Sequence, residues 1–155
     1  MSRMTDDDFR AVVDFRLQLR RFIRWSEAAV RRAGLTPAQH ELLLAIRYHP
    51  DSRGPTIGEI SQALALRPHS TVGLVDRAEA AGLVVRHRTD RDARVVRVTL
   101  TRRGAQRLTG LTSQHVAEIR RLAPAFARLT KELAAMQEEH ATDSPARRRP
   151  ARHTG

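Results

Sequence analysis

Residues 56–100 read TIGEISQALALRPHSTVGLVDRAEAAGLVVRHRTDRDARVVRVTL, and the order of patterns within them decides the fold. Thr56-Ile57-Gly58-Glu59 has capping-box spacing: a hydroxyl at the N-cap and a carboxylate three residues on satisfy each other's backbone N–H groups. It predicts a short helix with Ile60 and Leu64 inward. After Ala65-Leu66-Arg67 a second helix begins, with Pro68 in its first turn and Gly82 at its end. Two short helices joined by a tight connection make a helix-turn-helix candidate. Residues 83–89 and 94–100 then read as strands, since Val96, Val98 and Leu100 alternate with Arg97 and Thr99, the period of a half-buried strand. Asp90-Arg91-Asp92-Ala93 between them is a polar turn. A helix-turn-helix followed directly by a hairpin with an arginine-rich tip predicts a winged helix.

The second short helix has two faces. Thr71, Leu74, Val75 and Ala78 share the inward one. His69, Val72, Gly73 and Asp76 form the opposite stripe, bordered by Ser70 and Arg77. Small, mixed residues suit a helix that enters a major groove about 12 Å wide, and Pro68, His69 and Ser70 stand at the end such helices aim at base edges. His69 can donate to guanine, Val72 can touch a thymine methyl, and Gly73 permits close approach. Residues 86–103 carry seven arginines against Asp90 and Asp92, a net of five positive charges. Arginine at a protruding tip suits the negative potential of a narrow minor groove, and Arg91 and Arg94, with Arg88 nearby, are the best placed.

Outward from this core, Thr36-Pro37-Ala38-Gln39 is a second capping box, opening a helix with Leu42, Leu43 and Ile46 inward that ends before Pro50. Residues 49–55 (HPDSRGP) read as a loop. Upstream, a long helix is predicted from Asp6 to Ala33, with acidic residues at its start, Gly34 after its end, and Val12, Phe15, Leu19, Phe22 and Ile23 at helical spacing. One small core does not cover a helix of that length, which predicts a dimerisation arm. Downstream, Thr101 caps a helix carrying Leu108, Leu111, Val116, Ile119 and Leu122. Pro124 is expected to break it before a last helix with Phe126, Leu129, Leu133 and Met136. From about residue 141 the Pro, Arg, Ser and Thr content predicts a disordered basic tail. The expected organisation is therefore mainly α with a small β-hairpin wing. Residues 1–34 form an N-terminal dimerisation helix, 35–103 the winged helix-turn-helix lobe, 104–140 C-terminal dimerisation helices, and 141–155 the tail.

Composition narrows the partner. The 155 residues include 28 Lys and Arg against 17 Asp and Glu, a formal charge of +11, and a positive surface attracts polyanions. Only four Phe, one Trp and one Tyr are present, too few for base-stacking single-strand or RNA binders, so duplex DNA is the better fit. Without cysteine there are no disulfides, thiolate zinc sites or thiol nucleophiles. No uninterrupted apolar run of ~18 residues or more is present and the first residues are polar and acidic, so no membrane span, secretory peptide or transit peptide is expected, and the chain reads as cytoplasmic. The seven histidines show no metal-ligand spacing, and nucleophile-elbow, P-loop and dinucleotide motifs are lacking. No metal, no cofactor and no enzymatic activity are expected.

Four strings, LTPAQHELLLAI (35–46), TIGEISQAL (56–64), LVDRAEAAGLV (74–84) and DARVVRVTLTRRG (92–104), carry a resemblance across residues 35–108 to the MarR family of bacterial transcription regulators. The resemblance implies a homodimeric winged-helix repressor, nucleoid-associated, reading a pseudo-palindromic operator and often released by a small-molecule effector. It makes Arg94 the minor-groove arginine, held in part by Asp92, and places Ser70, Val72 and Gly73 at base-reading positions. There the sequence departs from the commoner Ser or Thr followed by Arg, so base choice falls more on His69, Ser70, Arg77 and DNA shape. The resemblance also implies an effector cleft between the lobe and the dimerisation helices, for which Trp25, His40 and Tyr48 are candidates. A peroxide-sensing thiol is excluded. Two other readings fit the charge: a non-specific nucleoid-type structural protein, and a basic protein-interaction module.

Overall fold

The computed structural model describes residues 4–89 and 92–142. Its elements follow in the order α1 (Asp6–Arg32), α2 (Pro37–Tyr48), α3 (Ile57–Ala63), α4 (Pro68–Ala80), β1 (Val84–Thr89), β2 (Asp92–Leu100) and α5 (Arg102–Thr142). They fall into two compact units, residues 24–117 and residues 1–23 with 118–155.

The first unit is built on the helix-turn-helix and its wing. Both predicted capping boxes form: Thr36 with Gln39 opens α2, and Thr56 with Glu59 opens α3. Leu42, Leu43 and Ile46 of α2, Ile60 of α3, Leu74, Val75 and Ala78 of α4, and Val84 and Val98 of the hairpin share one buried cluster. Ala29 and Val30 of α1 and Leu108 and Leu111 of α5 join it. Each large aliphatic side chain fully removed from water contributes roughly 1.5–3 kcal/mol, so this cluster is the main source of the unit's stability. β1 and β2 pair antiparallel, from Val84 opposite Leu100 to Arg88 opposite Val96, with an irregularity before Thr89 pairs with Asp92. Chain 54–56 lies along the free edge of β2, where Thr56 bridges Arg97 and the Val98 N–H donates to Pro55 O at 2.9 Å. Such close passage explains Gly54: a Cβ there would fall 2.1 Å from Val98 O. Thr101 closes the base of the wing. Its hydroxyl donates to Gly82 O at 2.7 Å and accepts from the Gly104 N–H, capping α5 as predicted.

One sequence expectation needs correction. Pro124 does not break the last helix: α5 is continuous through it. Proline removes one backbone donor and crowds the preceding turn, a local cost. Here it is exposed, and its neighbours Arg120, Arg121, Leu122, Ala123 and Ala125 are strong helix formers. The helix therefore propagates past it. On α1, Val12, Phe15, Leu19 and Ile23 are each 41–50% exposed. α5 reaches residue 142, and the rest of the predicted tail lies outside the described residues.

Candidate nucleic-acid interface

The turn between α3 and α4 sets the outer surface of α4. Leu66 N–H donates to Ser61 O at 2.9 Å and Ala65 N–H to Gln62 O at 3.2 Å, with Ala65 at φ 52°. These are the two bonds of a Schellman motif, which ends a helix with a left-handed residue. Beneath it two buried hydroxyls join the helices: Ser61 Oγ donates to Thr71 Oγ1 at 2.9 Å, and Thr71 Oγ1 reaches the carbonyl of Arg67 at 3.2 Å. Burying hydroxyls is tolerable only when they are paired, so this pair favours one crossing of the two helices over others.

α4 divides as its sequence predicts. Thr71, Leu74, Val75 and Ala78 are buried. Pro68, His69, Ser70, Val72 and Arg77 are exposed and Gly73 is half-buried. A Cβ at Gly73 would meet only the Arg77 guanidinium, at 3.4 Å. The lobe itself does not require glycine there. Arg67 stands at the N-cap and supplies no side-chain cap, so an external oxygen is a natural acceptor for the first turn.

The wing arginines divide into two classes that their number alone conceals. Arg88 is exposed, on the same face of the hairpin as Arg86 and nearer the tip. Arg86 instead turns back onto α4, donating to Asp76 Oδ1 at 2.6 Å and Glu79 Oε2 at 2.5 Å. Burial disfavours its charge, but the hydrogen bonds and charges of Asp76 and Glu79 prevail and hold its pKa above the ordinary value. Glu79 is held below the usual carboxylate range, first by the Arg86 backbone N–H and then by the guanidinium. Arg97, 14% exposed, points to the opposite side, donating to Gly54 O at 2.6 Å and lying 3.3 Å from Asp51. Asp51 is pushed well below its ordinary pKa, mainly by hydrogen bonds from Arg53. Two of the seven arginines thus hold the wing to the lobe. The ion-pair role of Asp76 and Glu79 was missed in the sequence, where two acids three residues apart and upstream of a strand arginine are the only signal. Arg91 lies outside the described residues. Of Asp92 and Arg94 only the backbone, in β2, is described.

The three effector-pocket candidates separate. Trp25 and His40 both meet His115, which the sequence did not single out. The His40 and His115 rings stack at 5.1 Å, and Trp25 approaches His115 edge-on at 5.2 Å. His115 also pairs with Ser26 Oγ at 2.7 Å and Leu111 O at 2.8 Å. Burial, then the neighbouring His115, lowers the His40 pKa. Tyr48 is 82% exposed and does not belong to this group. Among the described residues no cluster of three or more His, Asp or Glu is arranged to hold a metal ion, and no helix is long and apolar enough to cross a membrane.

An exposed second helix beside an antiparallel hairpin anchored to it defines a winged helix-turn-helix protein. Residues 33–95 match the MarR family. The HTH-type transcriptional repressor MdtR of Bacillus subtilis is 28% identical over 76 residues, 49% of this chain and 47% of MdtR. The match thus spans about half the length of that curated relative. Among solved structures, a mutant of S. aureus MepR bound to an oligodeoxyribonucleotide superposes with a TM-score of 0.69 at 21% identity, covering 79% of this chain and 94% of that one. AbsC, a MarR family transcriptional regulator from Streptomyces coelicolor, gives 0.64 at 21% identity over 92% and 100% of the two chains. At such identities the structures establish the fold.

Proposed function

We propose that this chain is a homodimeric, sequence-specific duplex-DNA-binding regulator of transcription, a repressor acting on a pseudo-palindromic operator in the bacterial cytoplasm. The observation that carries the reading is the exposed stripe of α4, with His69, Ser70, Val72, Gly73 and Arg77 beside a wing fastened to the same helix. Pro68 and the first turn of α4 approach the phosphates. His69, Ser70 and Arg77 read base edges, and Val72 and Gly73 admit the helix to the groove. Arg88, Arg91 and Arg94 follow the backbone into the adjoining minor groove, with Asp92 orienting Arg94. A DNA-bound MepR of the same fold supports this use of the surface. The apolar residues exposed on α1 support the homodimer, which sets two recognition helices about one DNA turn apart. A small-molecule effector is assigned to the surroundings of Trp25, His40 and His115, and it releases DNA by favouring the spacing that does not fit the operator.

The test is a fluorescence-anisotropy titration with duplexes from the flanks of the chain's own gene, in the presence of excess unrelated duplex. Binding that survives the competitor supports the reading; binding that disappears indicates charge alone. Gly73→Ala sharpens it. Alanine is about 1 kcal/mol the better helix former, so thermal stability should hold or rise while specific affinity falls about tenfold. Unchanged affinity would remove Gly73 from the contact surface.

A further inference from the structure

Asp76 lies on the exposed stripe of α4, the surface assigned to a polyanion, and its side chain is 58% exposed. Glu79, one turn on, is 37% exposed. Two carboxylates there oppose phosphate, yet both end on one cation from the wing. The Arg86 guanidinium meets Asp76 through Nη2 and Glu79 through Nη1, and Nη2 also lies 3.5 Å from Val72 O. Its backbone N–H donates to Glu79 Oε1 at 2.9 Å, so main chain and side chain grip the same carboxylate. In register Arg86 stands opposite Val98, which is fully buried, on the core-facing side of the hairpin. Its own side chain is 25% exposed. A planar guanidinium presents separate donors to two carboxylates at once, whereas a lysine ammonium is a single point charge.

We propose that Arg86 is a positioning residue for DNA recognition: it fixes the wing against α4 and offsets half the charge of that helix's own two carboxylates without touching DNA. This rests on the reading of α4 and the wing as the DNA surface. Arg86 holds Asp76 away from the phosphates, and it keeps Arg88, two residues nearer the tip on the same face, in constant register with His69 and Ser70.

The experiment uses the full chain, a duplex selected by the wild type from a randomised pool, and an unrelated duplex of equal length. Each is titrated over a range of salt. Arg86→Met should weaken binding to the selected duplex about thirtyfold or more and to the unrelated duplex only a few-fold. The salt slope should stay as in the wild type, because no phosphate contact is lost. Arg86→Lys keeps the charge but spans one carboxylate, so it should lose about tenfold on the selected duplex and almost nothing on the unrelated one. Adding Asp76→Asn and Glu79→Gln to Arg86→Met should restore the unrelated affinity and leave the selected one weak. Should Arg86→Met fail to fold, Arg86→Lys carries the same test. A slope reduced by about one would make Arg86 a phosphate contact and overturn the proposal, as would an Arg86→Lys variant equal to wild type. A wild type that selects no duplex removes the DNA reading itself, a result distinct from a wild type that selects and variants that match it.

Discussion

The two compact units use their apolar residues differently. In residues 24–117, fifteen buried residues drawn from every element surround one another, and the wing is fastened at its base by Arg86 and Arg97. In residues 1–23 with 118–155, Ala11, Leu122 and Leu129 are buried and Phe15 meets Phe126 edge-on at 5.9 Å. Phe9, Val12, Val13, Leu17, Leu19, Ile23 and Ile119 nevertheless remain 41–61% exposed. Single exposed apolar residues are ordinary on a protein surface, but a run of them along one helix marks an interaction site. The first unit satisfies itself within one chain. The second is the part the proposed homodimer would complete.

The change that would break this contrast most severely is Val13→Glu with Ile23→Glu. Both positions are about half exposed, so the isolated chain should accept them with little loss of fold. In a dimer they would be desolvated charges without partners, a cost of several kcal/mol, and the dimer should dissociate at least a hundredfold more readily. Sedimentation equilibrium measures this directly. A double variant that stays dimeric would place the interface elsewhere and return these side chains to the status of surface residues.

Sequence alone made the self-contained unit legible because its signals are local. The Thr36–Gln39 and Thr56–Glu59 boxes, the inward face of α4 and the alternation of Val96, Val98 and Leu100 each depend on neighbours a few residues away. Arg97 and Gly54 lie far apart in sequence, so nothing local identified Arg97 as an anchor rather than a free charge. Arg86, seven residues beyond Glu79, was hidden for the same reason. On α1 the spacing of Val12, Phe15, Leu19 and Ile23 revealed a helical face but not what covers it. Pro124 has the chemistry of a helix breaker, but at an exposed position between strong helix formers its local cost does not stop α5. At the candidate site, the outward α4 residues were legible from periodicity, and the meeting of Trp25 and His40 at His115 was not.

That meeting gives a smaller test of the first unit. His40 has a lowered pKa in the folded chain, so the unfolded chain binds more protons just below its ordinary value of 6.5. The His40 contribution to stability is therefore present above 6.5 and lost as pH falls through 6.5 toward the lowered folded value. Thermal melts should show a midpoint that decreases across this range, and His40→Gln should flatten the decrease. A wild-type midpoint that rises on acidification would mean that His40 gains an anionic partner instead of facing burial and His115.

The finest comparison lies within the first unit, among three helix ends built alike. After α1, Gly34 N–H bonds Arg31 O and Leu35 N–H bonds Val30 O; after α4, Gly82 bonds Glu79 and Leu83 bonds Ala78; after α3, Ala65 and Leu66 repeat the pattern with Gln62 and Ser61. All three central residues have positive φ, at 71°, 67° and 52°, but only the last carries a Cβ. The left-handed conformation costs an L-residue roughly 1–2 kcal/mol, which Ala65→Gly would relieve, while the freer unfolded chain offsets about 0.4–1 kcal/mol of the gain. The net stabilisation should be about 0.5 kcal/mol, seen as a melting midpoint raised by about 1–2 °C. Gly82→Ala should shift it the other way by a similar amount, since the left-handed strain is then imposed and the stiffer unfolded chain offsets part of it. Because both Schellman bonds and the Ser61–Thr71 pair survive the Ala65 change, DNA affinity should move less than about twofold. If Ala65→Gly instead lowers the midpoint, the exposed Ala65 methyl group contributes rigidity to the turn, and the angle between α3 and α4 depends on backbone stiffness as well as on the hydroxyl pair beneath it.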